Sequence, residues 1–226
     1  MSFQLEQIVP WGRSFSEYRK MFSLTEEDLG KAILGCGDGP ASFNAEATRR
    51  GVQVTSVDPI YALSAEQIES RFHTVKDEVL AQTHANRDRF VWDLFKSVDE
   101  LAAARTQAMA KFISDFPHGI EEGRYLEGAL PRLDLDDQSH DLALVSHLLF
   151  LYDQHLDFAS HVASVKELLR VAHEVRVFPL LSLDGSLSEH VPRIIRAFSA
   201  DYRIRPIDVN YEFQIGGNQM LQITRT

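Results

Sequence analysis

Gly35, Gly37 and Gly39 stand at alternate positions just after the apolar run Ala32-Ile33-Leu34, and Asp58 stands just after a second run, Val52 to Val57. Residues of these types at this spacing could hold a sugar-bearing ligand. Glycines let the main chain turn sharply and let a ligand come close to it. A helix that starts beyond them presents unpaired N–H groups to a polar ligand. A carboxylate closing the neighbouring strand offers its oxygens to both hydroxyls of a ribose, at the strand ends where such sheets bind ligands. Between the glycines lie Cys36, which reads as a small buried residue rather than a reactive thiol, and Asp38. His147 follows another apolar run, Asp141 to Ser146. Its imidazole could act as a general base or could position a ligand; the second reading is preferred, with His147 kept as the catalytic candidate.

These residues need a strand, turn, helix, strand unit to bring them together. Pro40 fits the start of the helix, Phe43 to Arg50 its body, and Gly51 its stop. Val52 to Val57 then reads as a strand, and parallel strands joined in this way belong to a doubly wound α/β sheet. Ahead of the unit, Phe3 to Leu29 reads as short helices, with Ser14 and Glu17, and Ser23 and Glu26, at capping-box spacing. Behind it, residues 62–123 read as a helical insert, too long for an ordinary connection. One helix is capped by Ser64 and Gln67, with Ile68, Phe72, Val75 and Val79 on its apolar face; another is capped by Ser97 and Glu100. Strand and helix then alternate again, through Asp141 to Ser146, Leu156 to Ala172, Glu174 to Leu180 and Ser188 to Ala200. The chain ends in two alternating segments around Gly216-Gly217, which predict an antiparallel β-hairpin.

A dinucleotide fingerprint would place its third glycine where this chain has Pro40. The turn therefore fits a nucleoside without a pyrophosphate. The segments ILGCGDGPASF (33–43) and VTSVDPIY (54–61) resemble the first two motifs of the class I S-adenosylmethionine-dependent methyltransferases. The resemblance covers Lys31 to Thr226 outside the insert. It implies a Rossmann-like seven-stranded sheet ending in an antiparallel hairpin, and S-adenosylmethionine as cofactor. It also implies that Gly35, Cys36, Gly37, Asp38 and Gly39 line the methionine and ribose, that Asp58 holds the ribose diol, and that Pro59 and Ile60 touch adenine. EGALPRL (127–133) resembles the loop at the adenine edge, which puts Ala129 and Leu130 there, and DLALVSHLLFLY (141–152) puts Ser146 and His147 beneath the reactive methyl. Arg13 and Tyr18 are candidates for the cofactor carboxylate or for closing over the site. One departure is plain: where the family commonly has an acid two residues before the first glycine, this chain has Ile33, so the cofactor's amino group needs another partner.

The 226 residues carry a formal net charge of −10, which argues against a nucleic-acid partner. The expected acceptor is a small molecule; a protein or RNA acceptor, a non-catalytic cofactor-binding module and a dinucleotide oxidoreductase are the alternatives. No disulfide can form within a chain whose one cysteine is Cys36. Met1 to Pro10 carries Glu6 and no long apolar run, so no signal peptide or membrane span is expected, and the setting is read as cytoplasmic. No metal is expected, because the spacings of His140, His147, His155 and His161 match no common ligand motif. The whole reads as a single domain, residues 1–226, with 1–29 as an N-terminal helical cap. The insert is read as a lid over the acceptor, with a homodimer surface as the alternative, and Trp11, Trp92 and Tyr152 are candidates for the acceptor pocket, Trp92 being more readily placed inside the insert.

Overall fold

The structure, a computed structural model, describes residues 10–226. The reading of residues 1–9, including that of no signal peptide, lies outside the described residues.

The sheet is built from β1 (Ile33–Cys36), β2 (Val54–Val57), β3 (Tyr125–Leu126), β4 (His140–Ser146), β5 (Ala172–Phe178), β6 (Tyr202–Asp208) and β7 (Gln219–Arg225). The seven strands run in the order β3-β2-β1-β4-β5-β7-β6. β7 is antiparallel to both β5 and β6, and the other pairings are parallel. The mixed α/β sheet and its terminal hairpin are as the resemblance implied. The strand order reverses at β1 and β4, so the crevice for a ligand opens at their carboxyl ends.

Strand side chains alternate between the two faces. Ile33, Val54, Leu142 and Leu144 pack against α1 (Phe15–Met21) and α2 (Phe43–Thr48), whereas Leu34, Cys36, Ala143 and Val145 pack against α5 (Phe158–Val171) and α6 (His190–Phe198). Both faces are covered, and the central strands are accordingly apolar throughout. β6 lies at the edge; it alternates in exposure and carries Pro206, which an edge strand tolerates. No helix among the described residues is long and apolar enough to cross a membrane.

The insert consists of α3 (Ala65–Ala85) and α4 (Val98–Glu121). α4 packs on α2 and leads into β3, so it is the crossover between β2 and β3; α3 is the addition. The face assigned to α3 divides in two. Ile68 and Phe72 are buried against Met109, Phe112 and Phe116 of α4, while Val75 and Val79 line the ligand cavity.

Local signals fared unevenly. The Ser14–Glu17 and Ser64–Gln67 boxes form. The Ser23–Glu26 box does not: Ser23 sits at φ 47° in the turn after α1, and the reciprocal bonds shift two residues on, to Thr25 and Asp28. Glu26 instead reaches Arg19. Pro40 precedes α2 in the turn rather than opening the helix, and Ser42 is the N-cap residue.

Glu17 does more than cap. One carboxylate oxygen accepts from the Ser14 N–H and from Arg105 Nη1 (2.9 Å each); the other accepts from Arg105 Nη2 (2.8 Å) and the Tyr211 hydroxyl (3.1 Å). The pair is almost wholly buried and ties α1 to α4 and to the β6–β7 connection. Removing one partner of such a pair leaves the other as a naked buried charge. Arg105→Met is therefore expected to lower unfolding stability by about 3–5 kcal/mol in urea denaturation, far more than Arg19→Met at the exposed Glu26 pair, where about 0–1 kcal/mol is expected.

Candidate functional site

The glycine turn and Asp58 meet directly. The Gly39 N–H donates to one oxygen of Asp58 (2.8 Å), and the Ile60 N–H donates to the other (2.9 Å). Burial raises the Asp58 pKa, opposed by these two bonds. Each oxygen keeps a free lone pair. Gly37 and Gly39 take positive φ, 71° and 53°, which favours glycine. The other two demands on the turn come from the protein itself. A Cβ on Gly35 would lie 1.8 Å from Asp38 Oδ2, and one on Gly37 would lie 2.5 Å from Leu148 Cδ2. Gly35 is thus small because the Asp38 carboxylate folds back over it. Only beside Gly39 is the space open, with Asp58 Oδ2 nearest at 4.0 Å.

Asp38 is buried. It accepts from the Tyr18 hydroxyl and the Ser56 hydroxyl, each at 2.7 Å, and has no cationic partner among the described residues. Burial, joined by the charge of Asp58, pushes its pKa up to about 6 against the pull of the two hydroxyls. Arg13, whose charge acts on Tyr18, is placed by backbone contacts: the Ser42 N–H donates to the Arg13 carbonyl (3.0 Å), and Gly12 passes so close to Pro40 that a Cβ would meet the Pro40 oxygen at 2.0 Å. Arg13 Nη1 donates to the Trp11 carbonyl (2.8 Å), and Nε is enclosed without a partner. Burial and the charge of Arg105 depress the Arg13 pKa. Glu17, the carboxylate nearby, already has both oxygens on Arg105.

His147 closes β4 at φ 54°, a left-handed conformation that a non-glycine residue holds only under constraint. Its N–H donates to the Phe178 carbonyl (2.6 Å), and Nδ1 pairs with Ser146 Oγ (2.9 Å). Burial, then the charges of Arg13 and Arg105, hold its pKa well below the usual histidine value, so the ring is neutral at pH 7.

Arg13, Tyr18, Cys36, Gly37, Asp38, Gly39, Asp58, Ser146 and His147 border one cavity of about 930 Å³, together with Pro59, Ile60, Ala129, Leu130 and Tyr152; Gly35, covered by the Asp38 carboxylate, does not. Trp11 borders it too, against Phe72. Trp92 does not; it packs on Phe90 and on Phe213 of the β6–β7 connection. That contact belongs to a latch. The Val91 N–H donates to the Phe213 carbonyl (2.7 Å), the Ile215 N–H donates to the Arg89 carbonyl (3.1 Å), and the Phe90 and Phe213 rings stack at 4.8 Å. Cys36 is buried, its thiol pKa raised by burial. Among the described residues, no group of three or more His, Cys, Asp or Glu side chains is arranged to hold a metal.

Several residues of the site escaped the sequence reading. Ser56 and the Glu17–Arg105 pair act across long sequence distances, and no local pattern marks them. Tyr61, whose hydroxyl donates to the Gly39 carbonyl (2.7 Å), also went unmarked, although it follows Asp58 closely.

No protein-family model matches the chain. The uncharacterized protein MJ0045 of Methanocaldococcus jannaschii is 36% identical over 224 residues, covering 98% of each chain. Among solved structures, mitomycin 7-O-methyltransferase MmcR aligns with 94% of this chain and 54% of its own, at 13% identity and TM-score 0.49. Magnesium protoporphyrin IX methyltransferase from Synechocystis PCC 6803, with bound SAM, aligns with 89% of this chain and 73% of its own, at 11% identity and TM-score 0.48.

The Gly35–Asp38 contact gives a test. Gly35→Ala should destabilise the protein by about 1–3 kcal/mol through overpacking. In an Asp38→Ala background the same change should cost clearly less, because the opposing carboxylate is gone. Urea denaturation of the four proteins of this cycle measures the difference; equal costs would remove the steric explanation.

Proposed function

The chain belongs to the same family as MJ0045 of Methanocaldococcus jannaschii, and we propose that it is an S-adenosylmethionine-dependent methyltransferase acting on a small-molecule acceptor. The observation that carries this reading is a pair of unmatched charges. Asp38 has no cation and Arg13 has no anion of its own among the described residues, and both border the same cavity as Tyr18. A buried charge without a counterion costs several kcal/mol. A ligand bearing both an ammonium and a carboxylate on neighbouring atoms would satisfy the two at once. The methionine end of S-adenosylmethionine is such a group, and its ribose diol suits the lone pairs left on Asp58. Asp38 then takes the place of the acid missing at Ile33.

When bound, the cofactor supplies a methyl carbon made electrophilic by the sulfonium. The residues of this chain bind, orient and enclose. Arg13 offers the carboxylate the terminal guanidinium donors that the Trp11 carbonyl leaves unused. Gly39 and Ile60 fix the Asp58 carboxylate so that its free lone pairs point to one place. Ile60, Ala129 and Leu130 supply an apolar flank for a purine. Neutral His147, in the tautomer whose Nδ1–H donates to Ser146 Oγ, can accept a proton from an acceptor hydroxyl or amine at Nε2. The roof formed by α3 and the Phe213 latch favours a small acceptor over a macromolecule and keeps water from the reacting atoms.

S-adenosylhomocysteine and 5′-methylthioadenosine, which lacks the amino-acid end, separate these roles in calorimetric titration. Arg13→Met and Asp38→Asn should each weaken S-adenosylhomocysteine by about 10- to 100-fold, as the loss of a charged hydrogen bond implies, and leave 5′-methylthioadenosine within about threefold. Asp58→Ala should weaken both. Binding of neither nucleoside to the native protein would overturn the reading.

The pH dependence has a definite sign. Asp38 titrates at about 6 in the free protein, and a bound ammonium favours the carboxylate. Affinity for S-adenosylhomocysteine should be full above that pH and fall below it, by at most about tenfold per unit. Asp38→Asn should flatten the curve.

A further inference from the structure

The charges lining the cavity are unevenly placed. The carboxylates among its described lining residues are Asp38 and Asp58, both on the glycine-turn side and both assigned above to the cofactor. On the side of the insert the charged residues are Arg71 and Arg89. Arg71 lies near the start of α3 and Arg89 just past its end, so the Arg89 corner is a separate cationic site, against the average field of a chain of net charge −10.

Arg89 stands where the insert meets the C-terminal connection. Its guanidinium bonds the Asp184 backbone carbonyl, and the amide nitrogen of Gln214 lies 3.5 Å from the Ser182 and Leu183 carbonyls, the outer limit of a hydrogen bond. The two donors converge beside Gly185, where a Cβ would lie 3.1 Å from Arg89 Nη2 and 3.2 Å from Gln214 Nε2; Nη2 serves the Asp184 carbonyl, so a ligand would draw on the other guanidinium donors and on Gln214, whose bonds there are at their outer limit. The Asp184 carboxylate does not border the cavity; it accepts from the Ser186 N–H (2.8 Å) and hydroxyl (2.7 Å) and from the Ser182 hydroxyl (3.2 Å), although its charge reaches Arg89. The cavity wall includes Val75 and Val79 of α3 with Leu151, Leu183 and Phe213, and Thr74 and Thr83 are the hydroxyl-bearing residues of the same α3 face. From Val75 to Thr83 the lining face of α3 extends about 12 Å at 1.5 Å per residue. The cavity, about 930 Å³, is at the upper end of the roughly 300–1,000 Å³ that holds one drug-sized ligand, so a nucleoside amino acid at the glycine turn leaves room for a second molecule.

We propose that the acceptor is a small organic anion: an apolar aryl or alkyl body lying between α3 and Leu151, with a terminal acidic group held by Arg89 and the Gln214 amide. This rests on the cofactor reading above, since it assigns to the acceptor the part of the cavity that the cofactor leaves. Arg89 then determines specificity by charge, and the apolar walls select by shape.

The test uses matched acids and amides, 2-naphthoate against 2-naphthamide and decanoate against decanamide, at pH 7.5. Binding to the S-adenosylhomocysteine-loaded protein is followed by tryptophan fluorescence, because Trp92 packs on Phe213 of the wall. At least one acid is expected to bind tenfold or more tightly than its amide. Arg89→Gln should bring the ratio near one without changing S-adenosylhomocysteine affinity, and Arg89→Lys should keep a preference for the acid, which a merely structural role would not. Equal binding of acid and amide, failure of every acid to bind, or a preference that survives Arg89→Gln would each overturn the proposal. Absence of S-adenosylhomocysteine binding to the native protein, measured first, would instead overturn the cofactor reading and this proposal with it.

Discussion

Buried Asp38 and half-buried Arg13, both near Tyr18, lack counterions among the described residues, and the architecture of the site follows from keeping them there. Here Tyr18 and Ser56 hold Asp38 over Gly35, while the Ser42 N–H and the close pass of Gly12 by Pro40 fix the backbone of Arg13. The one nearby carboxylate that could quench Arg13 is occupied by Arg105. The cost in folding free energy is offset elsewhere, in the apolar clusters on both faces of the sheet, and leaves a site already arranged for a ligand that carries both signs.

The Glu17–Arg105 pair therefore serves two ends. It joins α1, α4 and the β6–β7 connection, and it decides which guanidinium stays free. With the Phe90–Phe213 latch, it makes the insert one body with the C-terminal hairpin rather than a loose appendage. Burial keeps His147 neutral and the cationic field of Arg13 and Arg105 adds to it, so one cluster contributes both to the binding chemistry and to the protonation state of the candidate base.

Much of this was legible in the sequence where the signal is local. An apolar run ending in glycines, a second run ending in Asp58, and the Ser14–Glu17 spacing are short-range patterns, and each corresponds to a feature of the fold. The failures have physical reasons. Ser23 and Glu26 have capping spacing, but the turn after α1 puts Ser23 at positive φ and hands the role to Thr25 and Asp28. The apolar residues of α3 were read as one face, yet the helix touches both α4 and the cavity, and periodicity does not tell a packed wall from an open one. The space beside Gly35 and Gly37 is filled by Asp38 and Leu148, which lie 3 and 111 residues further on, so the reason those two positions need glycine is not visible in the turn's own spacing. The role of Asp38 was hidden because its partners, Tyr18 and Ser56, lie 20 and 18 residues away.

The central claim is that Asp38 waits for a cation that the cofactor brings. Carbon-13 NMR of the Asp38 carboxyl, titrated with and without saturating S-adenosylhomocysteine, tests it most directly. The account predicts a pKa of about 6 in the free protein, displaced clearly downward by S-adenosylhomocysteine and little changed by 5′-methylthioadenosine. The same titration in all three states would contradict it.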